Sequence, residues 1–189
     1  VLKMTKLEGE LGFNPDPATH SLSGGATQPT VEMRLIRDLG FDQRWIPPTG
    51  HGLPDDGNAR FLNGVAGNAG LFGTARGVIA LASEYLQGGG SLLSSAEAAD
   101  ATALHTEGLE QGRGWGWQLA SSPGCSAGMS LSQVAFGHTG FTGVSVWCDP
   151  HTKSCYVLLT NRNHPAQRGG DLHPLRRTFH RLAAGAAPR

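Results

Sequence analysis

The 189 residues predict an α+β fold, an antiparallel sheet flanked by helices. Two helical patterns occupy the middle of the chain, strand patterns follow from residue 113 onward, and a last helical pattern closes it. Turn formers are dense. The 28 glycines argue for tight turns and close backbone approaches rather than a helical bundle.

Residues 1–50 read as irregular, with turn formers at Asn14-Pro15, Pro17, Gly24-Gly25 and Pro47-Pro48. The one helical candidate there is 31–40, where Val31, Leu35, Ile36 and Leu39 recur at helical spacing before Gly40. Residues 50–58, GHGLPDDGN, read as a loop. Gly64, Gly67, Gly70 and Gly73 then stand three apart. A phosphate cradle is rejected, because neither Gly-Lys-Ser/Thr nor GxGxxG accompanies them. Thr74 is placed to cap a helix over about 75–87 that stops at Gly88-Gly89-Gly90. A second helix over about 94–106 opens at Ser94 or Ser95 with Glu97 nearby.

The strand readings begin with GWGWQLA at 114–120, where alternation puts Trp115 and Trp117 on one face, with core packing favoured over substrate stacking. QVAFGHTG at 133–140 and GVSVWCD at 143–149 follow. CYVLLTN at 155–161 is nearly all apolar and reads as a strand buried on both faces. The tail from 172 to 184 reads as a helix with Leu175, Phe179 and Leu182 along its apolar face. Neither repeats nor a second domain stand out, so 1–189 is taken as a single, partial domain.

Lys plus Arg and Asp plus Glu number 15 each, so nucleic acid is a poor partner. No apolar run is long enough to span a bilayer, and VLKMTKLEGE lacks the apolar stretch of a signal peptide. The chain starts with Val rather than Met and reads as a fragment, a processed product or a trimmed chain, which leaves the compartment open. Three cysteines make no disulfide framework. Cys148 and Cys155 flank the turn DPHTKS, and hairpin pairing would let them face each other, with two reduced thiols the favoured state.

The segment FGHTGFTGVSVWCDP…YVLLTNRNHP, with His138-Thr139-Gly140 at its heart, resembles the third-motif hairpin of the serine β-lactamase and penicillin-binding-protein superfamily. Many members carry Lys-Thr-Gly there; peptidases and esterases of the class C-like branch carry His-Thr-Gly. LGFNPDP at 11–17, RWIPPTG at 44–50, DDGNA at 55–59, GVAGNAGLFGTA at 64–75 and GWGWQL at 114–119 are similar, in the same order, to segments of that branch. Three residues alone are weak support; the collinear set is far more specific. The resemblance implies a substrate-side wall. His138 would support proton transfer and charge balance, Thr139 would hydrogen-bond the substrate's polar end, and Gly140 would admit the acyl group. The Phe141 N–H would supply half of an oxyanion hole, worth ~3 kcal/mol in comparable sites.

The rest of that family's machinery has no match. Its nucleophile motif is Ser-x-x-Lys, one helical turn apart. Lysine occurs only at 3, 6 and 153, with Lys3 three before Lys6 and Pro150 three before Lys153. Nor is there Tyr-x-Asn or Ser-x-Asn: Tyr85 precedes Leu-Gln and Tyr156 precedes Val-Leu. Both motifs stand upstream in the family, so the expectation is truncation: a β-lactamase-like fold incomplete at the N-terminus, lacking two strands beside the last one. Residues 155–161 would then keep an open edge, inviting self-association.

Other chemistries fare worse. Gly124-Cys125-Ser126-Ala127-Gly128 matches Gly-x-Ser-x-Gly but lacks the strand before and helix after of a nucleophile elbow, so a loop is expected. Spacing alone leaves a Ser/His/Asp triad open but unsupported. Among eight histidines no metal-ligand spacing occurs, and the His173 and His180 pair on one helical face reads as incidental. No metal and no cofactor are expected. Asp55, Asp56 and Asn58 could rim a site, but a turn capping its own backbone is favoured. Arg162 could simply solvate a strand end. His138 itself could be an ordinary strand-end histidine.

The expected function is therefore the C-terminal part of a serine hydrolase forming an acyl-enzyme on a β-lactam, peptide or ester, inactive alone. A non-catalytic binding module with the same fold is the alternative.

Overall fold

The structure is a computed structural model that describes residues 11–13, 54, 56–162 and 170–186. The helix expected over 31–40, the 44–50 segment and Asp55 lie outside those residues. The chain divides into two compact units.

The smaller unit takes the described residues of 8–74 and 161–170. In it β1 (Leu11–Phe13) pairs antiparallel with β2 (Leu71–Gly73). A short helix, α1 (Gly57–Phe61), begins where a loop was expected over 50–58. Asp56 caps it, its Oδ1 accepting from Ala59 N at 2.7 Å. The second oxygen accepts from Asn68 Nδ2 at 3.3 Å. For Asp56 the capping reading of the sequence thus holds, and the helix it starts is what the turn-rich composition hid.

The larger unit takes the described residues of 75–160 and 171–186. Helix α2 (Ala75–Leu86) ends as expected at its glycines. Gly88 and Gly89 adopt positive φ, with Gly89 N donating to the Glu84 carbonyl at 2.7 Å. Helix α3 (Ser95–Thr102) starts from a full capping box, Ser94 and Glu97 bonding each other's backbone N–H. It stops at Ala103, earlier than the sequence suggested.

Four antiparallel strands form one sheet in the order β3-β4-β5-β6: Gln118–Leu119, Phe136–Thr139, Ser145–Asp149 and Ser154–Leu158. Strand alternation gives the sheet two packed faces. On one, Phe136 and Cys148 pack with Leu119 against Ala82 of α2. On the other, Trp147 packs with Ala127, Leu131 and Ala135, and with Ala184 of the C-terminal helix α4 (His173–Ala186). The antiparallel sheet flanked by helices is the α+β arrangement read from sequence.

Three details differ from expectation. Gly116 takes φ +78 and Gly114 N bonds the Trp117 carbonyl, so a turn separates the two tryptophans. Trp117 enters the core beside Tyr85 and Phe136, while Trp115 is 63% exposed, stacked on His105 and donating to Asp100 Oδ2. Strand β6 is half-buried along its length rather than buried on both faces; among the described residues it is the edge of the four-stranded sheet. On α4, Leu175 and Leu182 are exposed and the buried positions are Arg176 and His180. Polar groups displace the apolar stripe because the hairpin beneath offers carbonyls and a hydroxyl that need partners.

Candidate active site

The candidate site is the end of β4 and the turn into β5. Gly137 lies opposite Trp147, and a Cβ there would collide with the Val146 carbonyl and the Trp147 ring, so only glycine fits. His138 pairs with Val146 and Thr139 with Ser145. The turn closes with Gly140 N donating to Val144 O at 2.8 Å and Gly143 N donating to Gly140 O at 3.0 Å. Gly143 adopts φ +105 over Thr160 and Leu172, and a Cβ on Gly140 would strike Val144. Gly143 is therefore demanded by the turn's own backbone, and a side chain at Gly140 would force Val144 to move.

Strand β3 pairs only with Phe136 and Gly137. Beyond it, at His138 and Thr139, the β4 edge facing away from β5 has no ladder partner among the described residues. An extended chain could add there through backbone hydrogen bonds. His138 is exposed and Phe141 is 49% exposed. Partial desolvation, then the Arg113 cation, hold His138 below the ordinary histidine pKa, against a hydrogen bond to the Thr139 backbone. Its ring is neutral at pH 7 and able to accept a proton.

Helix α4 braces this turn. Arg176, 7% exposed, donates from Nη2 to Gly140 O at 2.7 Å and from Nε to Gly143 O at 3.2 Å. One turn along, His180 Nε2 shares a buried 2.9 Å hydrogen bond with Ser145 Oγ. Burial, then Arg176, push the His180 pKa down to about 4. The pair superficially matches a nucleophile and its base, but both groups are buried and no carboxylate orients His180, whose Nδ1 has no partner among the described residues. It is a strut between α4 and β5. Sequence reasoning missed Arg176 and Arg113, and read His180 as half of an incidental pair with His173. The i, i+4 spacing of Arg176 and His180 was a signal, masked by the competing leucines.

Other sequence candidates resolve plainly. Ser126 is buried and accepts a 3.0 Å hydrogen bond from Trp147 Nε1. The Gly124–Gly128 match is thus a core-facing loop, its two glycines at φ +69 and +68. Arg162 Nη1 donates to Gly170 O at 3.4 Å. Among the described residues no group of three or more His, Cys, Asp or Glu could hold a metal ion, and no helix is long and apolar enough to cross a membrane.

Comparison with known proteins places this geometry in context. The family model described as Beta-lactamase matches residues 4–180. A protein of Salmonella gallinarum provisionally named D-alanyl-D-alanine carboxypeptidase is 32% identical over 117 residues, 60% of this chain and 27% of the relative. The Salmonella typhi protein of the same name is 31% identical over the same extent. The chain therefore spans about a quarter of the length of these curated relatives. A crystal structure of a beta-lactamase from Mycobacterium bovis aligns with TM-score 0.53 at 25% identity, covering 62% of this chain and 45% of that one.

Proposed function

The chain belongs to the Beta-lactamase family, and on that premise we propose that it supplies the substrate-side wall of a serine hydrolase that forms an acyl-enzyme on a β-lactam, a peptide or a simple ester. The observation that carries this reading is the β4 edge at His138 and Thr139, which has no ladder partner among the described residues, beside the tightly built turn. In it, the substrate lies along that edge. Thr139 hydrogen-bonds its polar end, and Gly140 leaves room for the acyl group. The Phe141 N–H donates to the carbonyl oxygen as charge develops, and His138, neutral at pH 7, assists proton transfer. The name carried by the Salmonella relatives favours a peptide ending in D-alanine among the three substrate classes.

The nucleophile comes from outside these 189 residues, since none of the three lysines follows a serine at the required spacing. The isolated chain is then inactive. Incubation with a fluorescent penicillin or a fluorophosphonate is expected to leave it unlabelled, and covalent labelling of any residue would overturn the assignment. An upstream Ser-x-x-Lys in the same reading frame supports the enzyme. A genuine start codon at the position of Val1 supports the second reading, a non-catalytic binding module that keeps the family's fold.

A further inference from the structure

We propose that Cys148 and Cys155 form a reactive dithiol, a modification site that closes to a cross-strand disulfide by exchange with a small disulfide such as oxidised glutathione. The two residues are direct partners in the β5–β6 register. Directly opposed residues of an antiparallel pair stand roughly 4.5–5.5 Å apart at Cα, within the span a disulfide bridges. Cys148 Sγ donates to Cys155 Sγ at 3.0 Å, and both are free thiols. Closure therefore needs side-chain rotation and no shift of register.

The hairpin holds the pair in place. Asp149 ends β5 buried, accepting from Ser132 N and Oγ at 2.9 and 2.6 Å and from His151 N at 2.9 Å. Lys153 takes φ +52 to return the chain into β6. The third cysteine, Cys125, belongs to the core on the other face and donates to Ala120 O at 3.3 Å. The two sulfurs differ in access: Cys148 is fully buried, whereas Cys155 is half-buried on the edge strand. They differ in acidity too. The hydrogen bond from Cys148 lowers the pKa of Cys155, while that same bond and burial raise that of Cys148.

These differences set the order of events. The Cys155 thiolate attacks one sulfur of the external disulfide, and the first small thiolate leaves. A mixed disulfide now sits on Cys155. The Cys148 sulfur attacks Cys155 Sγ and expels the second small thiolate. The two cysteine protons end on the two released thiols, so one protein dithiol and one small disulfide become one protein disulfide and two small thiols. The bridge ties β6 to β5, whose other edge pairs with β4, the strand that ends in the candidate site.

The test equilibrates the folded chain in a series of reduced and oxidised glutathione mixtures, quenches exchange with acid, alkylates with excess N-ethylmaleimide in denaturant so that the buried thiols are reached, and measures mass. Two of the three cysteines are expected to lose their label together as the mixture becomes oxidising. Trypsin cuts after Lys153, and chymotrypsin after Phe136 and Phe141 separates Cys125 from Cys148, so the non-reduced double digest should contain two peptides joined through Cys148 and Cys155. Three labelled cysteines across the whole series, or a bridge to Cys125, would overturn the proposal. In Cys148→Ala the reaction should stall as a glutathione adduct on Cys155. In Cys155→Ala adduct formation on Cys148 should be about tenfold slower, and equal rates would refute the assigned order. Should either variant fail to fold, the wild-type digest decides.

Discussion

Arg176 and Gly140, 36 positions apart, are joined by a 2.7 Å hydrogen bond from guanidinium to carbonyl. Its fork also reaches Gly143, so one buried side chain braces both ends of the turn that carries Phe141. Arg176→Ala would strip both carbonyls of this donor, an expected loss of about 2–4 kcal/mol in urea unfolding. Arg176→Lys should recover less than half of that loss, because a point ammonium does not reproduce a planar fork. Full recovery by lysine would show that charge alone, and not two-point bracing, matters.

His180 makes stability depend on pH with a definite sign. Its folded pKa, about 4, lies below the ordinary value of about 6.5. Between those limits the unfolded chain binds the proton and the folded chain does not, so stability falls as pH drops through that window and is fully present above it. The loss amounts to about 3 kcal/mol across the window. His180→Gln should flatten urea midpoints measured between pH 7 and pH 4. An unchanged slope in the variant would place the titration elsewhere.

Gly137 carries no side chain because the opposite strand occupies the space. Gly137→Ala is expected to cost about 3 kcal/mol, since both colliding atoms belong to backbone or to a buried tryptophan. Thermal unfolding within 2–3 °C of wild type, a shift far below that cost in a domain of this size, would show that the β4–β5 pair spreads without penalty.

Among the described residues β6 has no strand partner on its far side. β6 runs directly into Leu159, 44% exposed. We expect the isolated chain to self-associate through this edge, and Leu159→Lys to reduce the association seen by sedimentation velocity. A wild-type chain that stays monomeric at high concentration would contradict this.

Much of the larger unit was legible from pattern. The capping box at Ser94 and Glu97 and the glycine stop after Leu86 are local chemistry, decided within a few residues. The strands 145–149 and 154–158 declared themselves by alternation and apolar runs. His138-Thr139-Gly140 stood out through collinear resemblance. Trp115 and Trp117 misled, because a single positive φ at Gly116 changes which face each side chain takes, and alternation carries no record of that turn.

What the sequence determined by itself was the order of elements in the larger unit, the position of the turn at 140–143 and the lack of a Ser-x-x-Lys. What only tertiary structure decided was who faces whom. Arg176 and His180 look like solvated helix residues until α4 lies against the hairpin, where two carbonyls and the Ser145 hydroxyl select them over Leu175 and Leu182. Likewise, the two cysteines become a pair only through strand register. Hydrophobic periodicity is written along one chain segment; hydrogen-bond demand at a buried surface comes from another segment, and no local pattern contains it.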